Sequence, residues 1–177
     1  MKRFFFVAVC LVMSVAVCQA GLKIGAHGAY TIGGDVEEEE AGAGAQLAVG
    51  LGDTFSLELA GSWIEDEVGP ATIDIFTIAL SARLGTDLSD TIGIYGGGGI
   101  DFNMFEVDQG PDPDDEAGFH ACAGFEIPLG DNLELFGEYR YTWVEYTVDS
   151  DGGDLDLTRD LDYEFGLARV GLNLVFE

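Results

Sequence analysis

The sequence predicts an all-β fold, an eight-stranded antiparallel up-and-down transmembrane β-barrel, and three observations predict it. Eight stretches alternate apolar residues with polar or small ones at period two, the spacing that separates the two faces of a strand. The connections between them alternate long, acidic segments with short turns, so a meander puts every long loop at one end. The polar parity is built from Gly, Ala, Ser and Thr with scattered charges, a poor water-facing surface but a good filling for a narrow interior.

The strands follow in order. The first, Leu22 to Ile32, sets Leu22, Ile24, Ala26 and Tyr30 against Lys23, His27 and Thr31. After the acidic run Asp35 to Glu40, Ala41 to Leu51 sets Leu47, Val49 and Leu51 against Gln46 and Ala48. Thr54 to Ile64 is the cleanest, with Phe55, Leu57, Leu59 and Trp63 opposing Ser56, Glu58 and Ser62, and Glu65 to Glu67 is expected to close it. Ala71 to Leu84 carries Phe76, Ile78 and Leu80 opposite Thr77, Ser81 and Arg83, and Thr91 to Phe105 carries Ile100, Phe102 and Met104 opposite Tyr95, Asp101 and Asn103. A loop from Glu106 to Glu116, broken by Pro111 and Pro113, precedes Ala117 to Leu129, where His120, Cys122 and Glu126 share the polar parity. Asp131 to Trp143 opposes Leu133, Leu135, Tyr139, Tyr141 and Trp143 to Glu134, Glu138, Arg140 and Thr142. Leu161 to Phe176 follows the last acidic loop, with Val170, Leu172, Leu174 and Phe176 opposite Arg169 and Asn173, and a bulge is expected near Tyr163 to Phe165.

The first 20 residues run from Lys2 and Arg3 through an apolar stretch to Cys18-Gln-Ala20, the order of a secretory signal peptide cleaved after Ala20, so residues 21–177 form the expected single domain. A lipidated Cys18 is the lesser reading, because Val17 is bulkier than the residue that usually precedes such a site. Beyond the signal only Lys23, Arg83, Arg140, Arg159 and Arg169 face the acids, so nucleic acid is excluded as a partner and cationic partners fit better. Cys122 alone remains, which rules out a disulfide framework and reads as a small buried side chain. Twenty acids fall in four segments, 35–40, 65–67, 106–116 and 149–162, all at the long-loop end.

With the small-residue parity inside, the apolar faces point to lipid. Each segment offers the roughly 9 to 11 residues that a tilted spanning strand needs. Tyr30, Trp63, Phe102, Tyr141 and Trp143 lie near the long-loop ends on the outward parity, as an interfacial girdle requires. Inside, Glu58, Arg83, Glu126, Glu138, Arg140 and Arg169 are the expected lumen ion pairs, with Glu138 and Arg140 turned toward Arg169.

Asp131-Asn-Leu-Glu-Leu-Phe-Gly-Glu-Tyr-Arg-Tyr-Thr142, Ile94-Tyr-Gly-Gly-Gly-Gly-Ile-Asp-Phe102 and the apolar closing strand resemble the outer-membrane β-barrel domain family that includes opacity-type and OmpA-type barrels. The resemblance covers the whole mature chain and implies a place in a Gram-negative outer membrane, outer-membrane lipid as surroundings and the barrel-assembly machinery as a partner. Such families usually end on an aromatic residue, whereas here Glu177 follows Phe176.

His27, His120 and the lumen glutamates make a site inside the barrel conceivable, but no Ser, His and acid spacing marks a nucleophile with its base, so no enzyme and no cofactor are expected. Gly96 to Gly99 continues into a strand, where a phosphate loop needs a helix N-terminus. Asp149, Asp151 and Asp154 gather hard oxygen ligands suited to a loop-bound divalent cation such as Ca²⁺, although the closing bidentate Glu of a complete loop is missing. The expected function is a structural or surface-interaction barrel that holds four acidic loops toward an unidentified extracellular partner. A small passive pore and a soluble periplasmic ligand-binding barrel are the alternatives.

Overall fold

The computed structural model describes residues 21–34, 40–68, 71–89, 91–107, 116–149 and 158–176. Eight strands follow in chain order: β1 (Leu22–Gly34), β2 (Ala41–Gly50), β3 (Phe55–Val68), β4 (Ala71–Ser89), β5 (Ile92–Val107), β6 (Glu116–Pro128), β7 (Leu133–Asp149) and β8 (Thr158–Phe176). Each pairs antiparallel with its neighbours in sequence, and β8 pairs back onto β1, closing the barrel. Closure leaves no sheet edge, so within the membrane every ladder group has a partner.

The alternation expected from the sequence holds among the described side chains, except at Val49 of β2, which lies on the apolar parity but is 1% exposed. Ile24, Trp63, Phe76, Phe119, Tyr139, Trp143 and Leu172 are exposed on the outer face, while His27, Glu58, Ser81, Arg83, Asp101, His120, Glu138, Arg140 and Arg169 are buried inside. An outer surface of this composition is stable only against hydrocarbon. Cys122 is buried with its thiol free.

Two expectations need correction. Glu65, Asp66 and Glu67 do not close β3; they lie within it and pair with Asp74, Ile73 and Thr72 of β4. Pairing continues to Val68 opposite Ala71, so the third connection contains only Gly69 and Pro70 and is not a long loop. The expected bulge near Tyr163 is absent from β8, whose ladder with β7 runs unshifted from Leu133–Leu174 to Asp149–Thr158. The irregularity sits on β1, between Thr31 opposite Leu167 and Gly34 opposite Phe165. Gly33 and Gly34 have φ of 70° and 89° there, a backbone that glycine adopts without steric cost. At Gly34 a side chain would also press on the Phe165 Cα, 2.7 Å from its Cβ.

The strands are longer than spanning alone requires, with 19 residues each in β4 and β8. The outer membrane boundary is marked by bonds on the outward face. Trp63 Nε1 donates to Asp74 Oδ1 at 2.9 Å, and the Tyr141 hydroxyl donates to Glu164 Oε2 at 2.6 Å. Indole and phenol thus reach out of the apolar band to carboxylates that need water, which sets the headgroup level at that height. Beyond it β3 and β4 continue outward as a hairpin.

Candidate functional site

The lumen has three tiers. Its middle holds a charge network built by β3, β4, β7 and β8. Glu58 and Glu138 are the acceptors; Arg140 Nη2 lies 3.1 Å from Glu58 Oε1 and 3.2 Å from Glu138 Oε1, and Arg169 Nη2 lies 3.1 Å from Glu58 Oε1. Arg83 pairs with both glutamates and Arg169 also pairs with Glu138. Taking charges out of water costs several kcal/mol each unless they are paired. Here three guanidiniums meet Glu58, Glu138 and the nearby Asp101, so the buried charge balances.

Tyr95 of β5 fixes one flank. Its hydroxyl donates to Glu138 Oε2 at 3.1 Å, and the Arg83 guanidinium stands 4.5 Å from its ring centroid. The ring fits because its neighbour is glycine; a Cβ on Gly124 would lie 2.5 Å from both Tyr95 Cζ and its hydroxyl. Gly44 and Gly99 make the same room for His27 and His120. Small residues on the inward parity are therefore the space into which large polar ones fold.

Beside the network, Asp101, His120 and Ser81 form a chain. His120 Nδ1 lies 2.9 Å from Asp101 Oδ1, and Nε2 lies 2.9 Å from Ser81 Oγ. Thr142 donates to Asp101 Oδ2 at 3.0 Å, and Arg140 Nη2 donates to Ser81 Oγ at 3.2 Å. This is the residue set of a nucleophile with its base, contributed by three adjacent strands. Ser81 is 1% exposed, and its oxygen accepts a hydrogen bond from Arg140 Nη2. The array's hydrogen bonds join His120, Ser81 and Arg140 on one side and Thr142 and Asp101 on the other, with the His120 ring against the Asp101 carboxylate between them.

Toward the long-loop end the lumen becomes apolar, with Ala29, Ile64 and Leu167 packed together and Val144 and Phe165 also buried. Toward the short-turn end it opens into a vestibule of about 340 Å³. Lys23 Nζ bridges Glu126 Oε2 at 2.7 Å and Glu134 at 2.9 Å, and Glu134 receives a bond from Asn173, which in turn receives one from Gln46.

Of the six expected ion-pair residues, Glu58, Arg83, Glu138, Arg140 and Arg169 meet in one cluster, whereas Glu126 lies apart and pairs with Lys23. Lys23, Tyr95, Asp101 and Ser81 were legible as inward residues, but nothing in their local sequence names their partners. Asp149 ends β7 opposite Thr158, and Asp151 and Asp154 lie outside the described residues. Among the described residues no cluster of three or more His, Cys, Asp or Glu side chains could hold a metal.

The outer membrane protein beta-barrel domain family matches residues 5–176. No curated protein matches the chain. Among solved structures, OprG from Pseudomonas aeruginosa superposes with a TM-score of 0.65 at 12% identity, covering 89% of this chain and 96% of that one. Neisserial surface protein A (NspA) gives 0.63 at 15% identity, with 89% and 97% covered. Ail of Yersinia pestis, in complex with the heparin analogue sucrose octasulfate, gives 0.60 at 13%, with 89% and 99% covered. Likeness at these identities establishes a shared barrel.

Proposed function

This chain belongs to the outer membrane protein beta-barrel domain family and is an outer-membrane protein, and on that premise we propose that it is a structural and surface-interaction barrel rather than a conduit. The observation that carries this reading is the filled cross-section: Glu58, Asp101 and Arg169 are 0%, 0% and 1% exposed, and the apolar tier of Ile64 and Leu167 lies beyond them. Eight strands leave an interior that side chains alone can fill, and these side chains do so in mutually paired positions.

The barrel's work then falls to the segments beyond its outer rim. Connections one, five and seven retain the acidic composition expected of them, and with 33 acids against 7 Lys and Arg the chain repels polyanions. A sulfated ligand of the kind bound in the Ail structure is a poor electrostatic match here, and a cationic extracellular partner, or divalent ions bridging the loops to anionic lipid, is a good one. The outer-membrane location sets aside a soluble periplasmic barrel. A passive pore is separated by experiment: purified barrel in planar bilayers should show no stable open level, and a sustained ion-selective conductance would replace this reading with transport.

A further inference from the structure

At the boundary marked by Trp63, the outward face of the β3–β4 hairpin changes character between adjacent rows of its ladder. Trp63 stands directly opposite Phe76, and Glu65 directly opposite Asp74. All four share the outward parity, and the rows lie about 7 Å apart along the strands. Trp63 and Phe76 are 45% and 42% exposed, Glu65 is exposed and Asp74 is half-buried. A pair of aromatic rings therefore lies immediately below a pair of carboxylates, at the headgroup level.

The rings are held so that this face stays open. The indole is fixed by its bond from Nε1 to Asp74 Oδ1, and Ala43, its neighbour on β2, is too short to cover it. The tip of the Phe76 ring turns away, toward the bilayer centre, where Cζ lies 3.7 Å from the position a Gly61 Cβ would occupy. The carboxylate row is unfavourable by itself, because like charges directly opposite each other repel. Among the described side chains no base relieves it: Lys23, Arg83, Arg140 and Arg169 all turn into the barrel.

The complement of such a surface is a cation with an apolar continuation. An ammonium here meets two carboxylates that accept charge-assisted hydrogen bonds and the negative face of an indole. We propose that this patch is a headgroup site for a lipid bearing a primary ammonium, the ammonium between Glu65 and Asp74 against Trp63 and the acyl chains along Phe76 toward the bilayer centre. A headgroup with phosphate alone meets two carboxylates and no base, and a hydrated metal ion leaves both rings unused. The site rests on the outer-membrane location alone, so it stands whether or not the lumen conducts.

The test reconstitutes the full barrel, carrying Trp143→Phe so that Trp63 is the single indole, into phosphatidylcholine vesicles with brominated phosphatidylethanolamine or brominated phosphatidylglycerol. Quenching of Trp63 reports the exchange of each lipid against the host at this patch. The ethanolamine lipid should be preferred over the N-methylated host about 5-fold, the gain of one cation–π contact with its hydrogen bonds, and the glycerol lipid should be disfavoured. Glu65→Gln with Asp74→Asn should abolish both preferences. Asn at position 74 still accepts the indole N–H, so Trp63 emission and heat-modified migration should stay as in the parent. Equal binding of ethanolamine and choline lipids would overturn the assignment. So would a preference that survives the double variant, since the net charge of the barrel would then select the lipid. Recruitment of the glycerol lipid by added Mg²⁺ in place of the ethanolamine lipid would assign the carboxylates to a metal instead.

Discussion

Glu138 and Arg169 face each other directly across the β7–β8 ladder, and their buried side chains form an ion pair inside the barrel. The two residues also bind the rest of the network, since Glu138 accepts from Tyr95 and Arg140 while Arg169 reaches Glu58. Neutralising Glu138 therefore leaves three guanidiniums facing Glu58 and Asp101. Glu138→Gln is expected to cost about 3 to 5 kcal/mol, the usual penalty for breaking a buried pair from one side. The double variant Glu138→Gln with Arg169→Met, which removes one charge of each sign, should recover part of that loss. The midpoint of heat-modified gel migration checks both, and a double variant less stable than the single one would show that pairing is not what holds the network.

Gly124 is expected to be intolerant for a reason that lies on another strand. An added methyl would meet Tyr95 at 2.5 Å and push the ring off Arg83 and Glu138. Gly124→Ala should destabilise the barrel by about 1 to 3 kcal/mol. Gly28 on β1 is the control, because nothing lies within 4 Å of its Cβ position. Gly28→Ala should be nearly neutral in the same unfolding measurement, and equal costs at both sites would mean backbone freedom matters more than space.

Much of this was legible in the sequence, and the division follows the range of each interaction. Period two assigns Glu58, Arg83, Glu138 and Arg140 to the inside because it is a local property of each strand. Which of them meet is not local: Glu58 and Arg140 are 82 residues apart, and Lys23 and Glu126 are 103 apart. Contacts across a barrel depend on strand tilt and stagger, which alternation does not encode. That is why Glu126 was legible as an ion-pair residue but its partner Lys23 was not, and why Asp101, His120 and Ser81 gave no sign of meeting. Glu65 to Glu67 misled in the opposite way. Three consecutive acids have loop composition, but strands that rise beyond the lipid meet water on their outer face and tolerate them.

Ser81 should be chemically quiet despite its partners. Its hydroxyl is held between His120 Nε2 and Arg140 Nη2, and the residue is 1% exposed, so a fluorophosphonate probe has no approach. Folded barrel is expected to remain unlabelled, whereas Ser81→Ala should lower stability by about 1 to 3 kcal/mol by leaving buried donors and acceptors unsatisfied. Mass-spectrometric labelling of Ser81 in intact, folded protein would mean that the lumen opens to small molecules and that the array can act as a nucleophile.

Tyr139 decides whether the outer face meets lipid as its composition requires. It is 44% exposed on β7, two residues inside the interfacial Tyr141, and its ring lies over Gly166 of β8, where an added Cβ would come within 2.9 Å of Tyr139 Cζ. A charge there would sit between the headgroup level and the bilayer centre, at a cost of about 2 kcal/mol, between the interfacial and midplane penalties for Arg. Tyr139→Arg would also uncover the Gly166 backbone, so the fraction reaching the folded, heat-modifiable form in membranes should fall sharply. Thr142→Ser, on the inward parity of the same strand, keeps the hydroxyl that donates to Asp101 and should insert like the parent protein. If Tyr139→Arg inserted as well as Thr142→Ser, Tyr139 would have to face water, and the boundary drawn at Trp63 and Tyr141 would lie too far out.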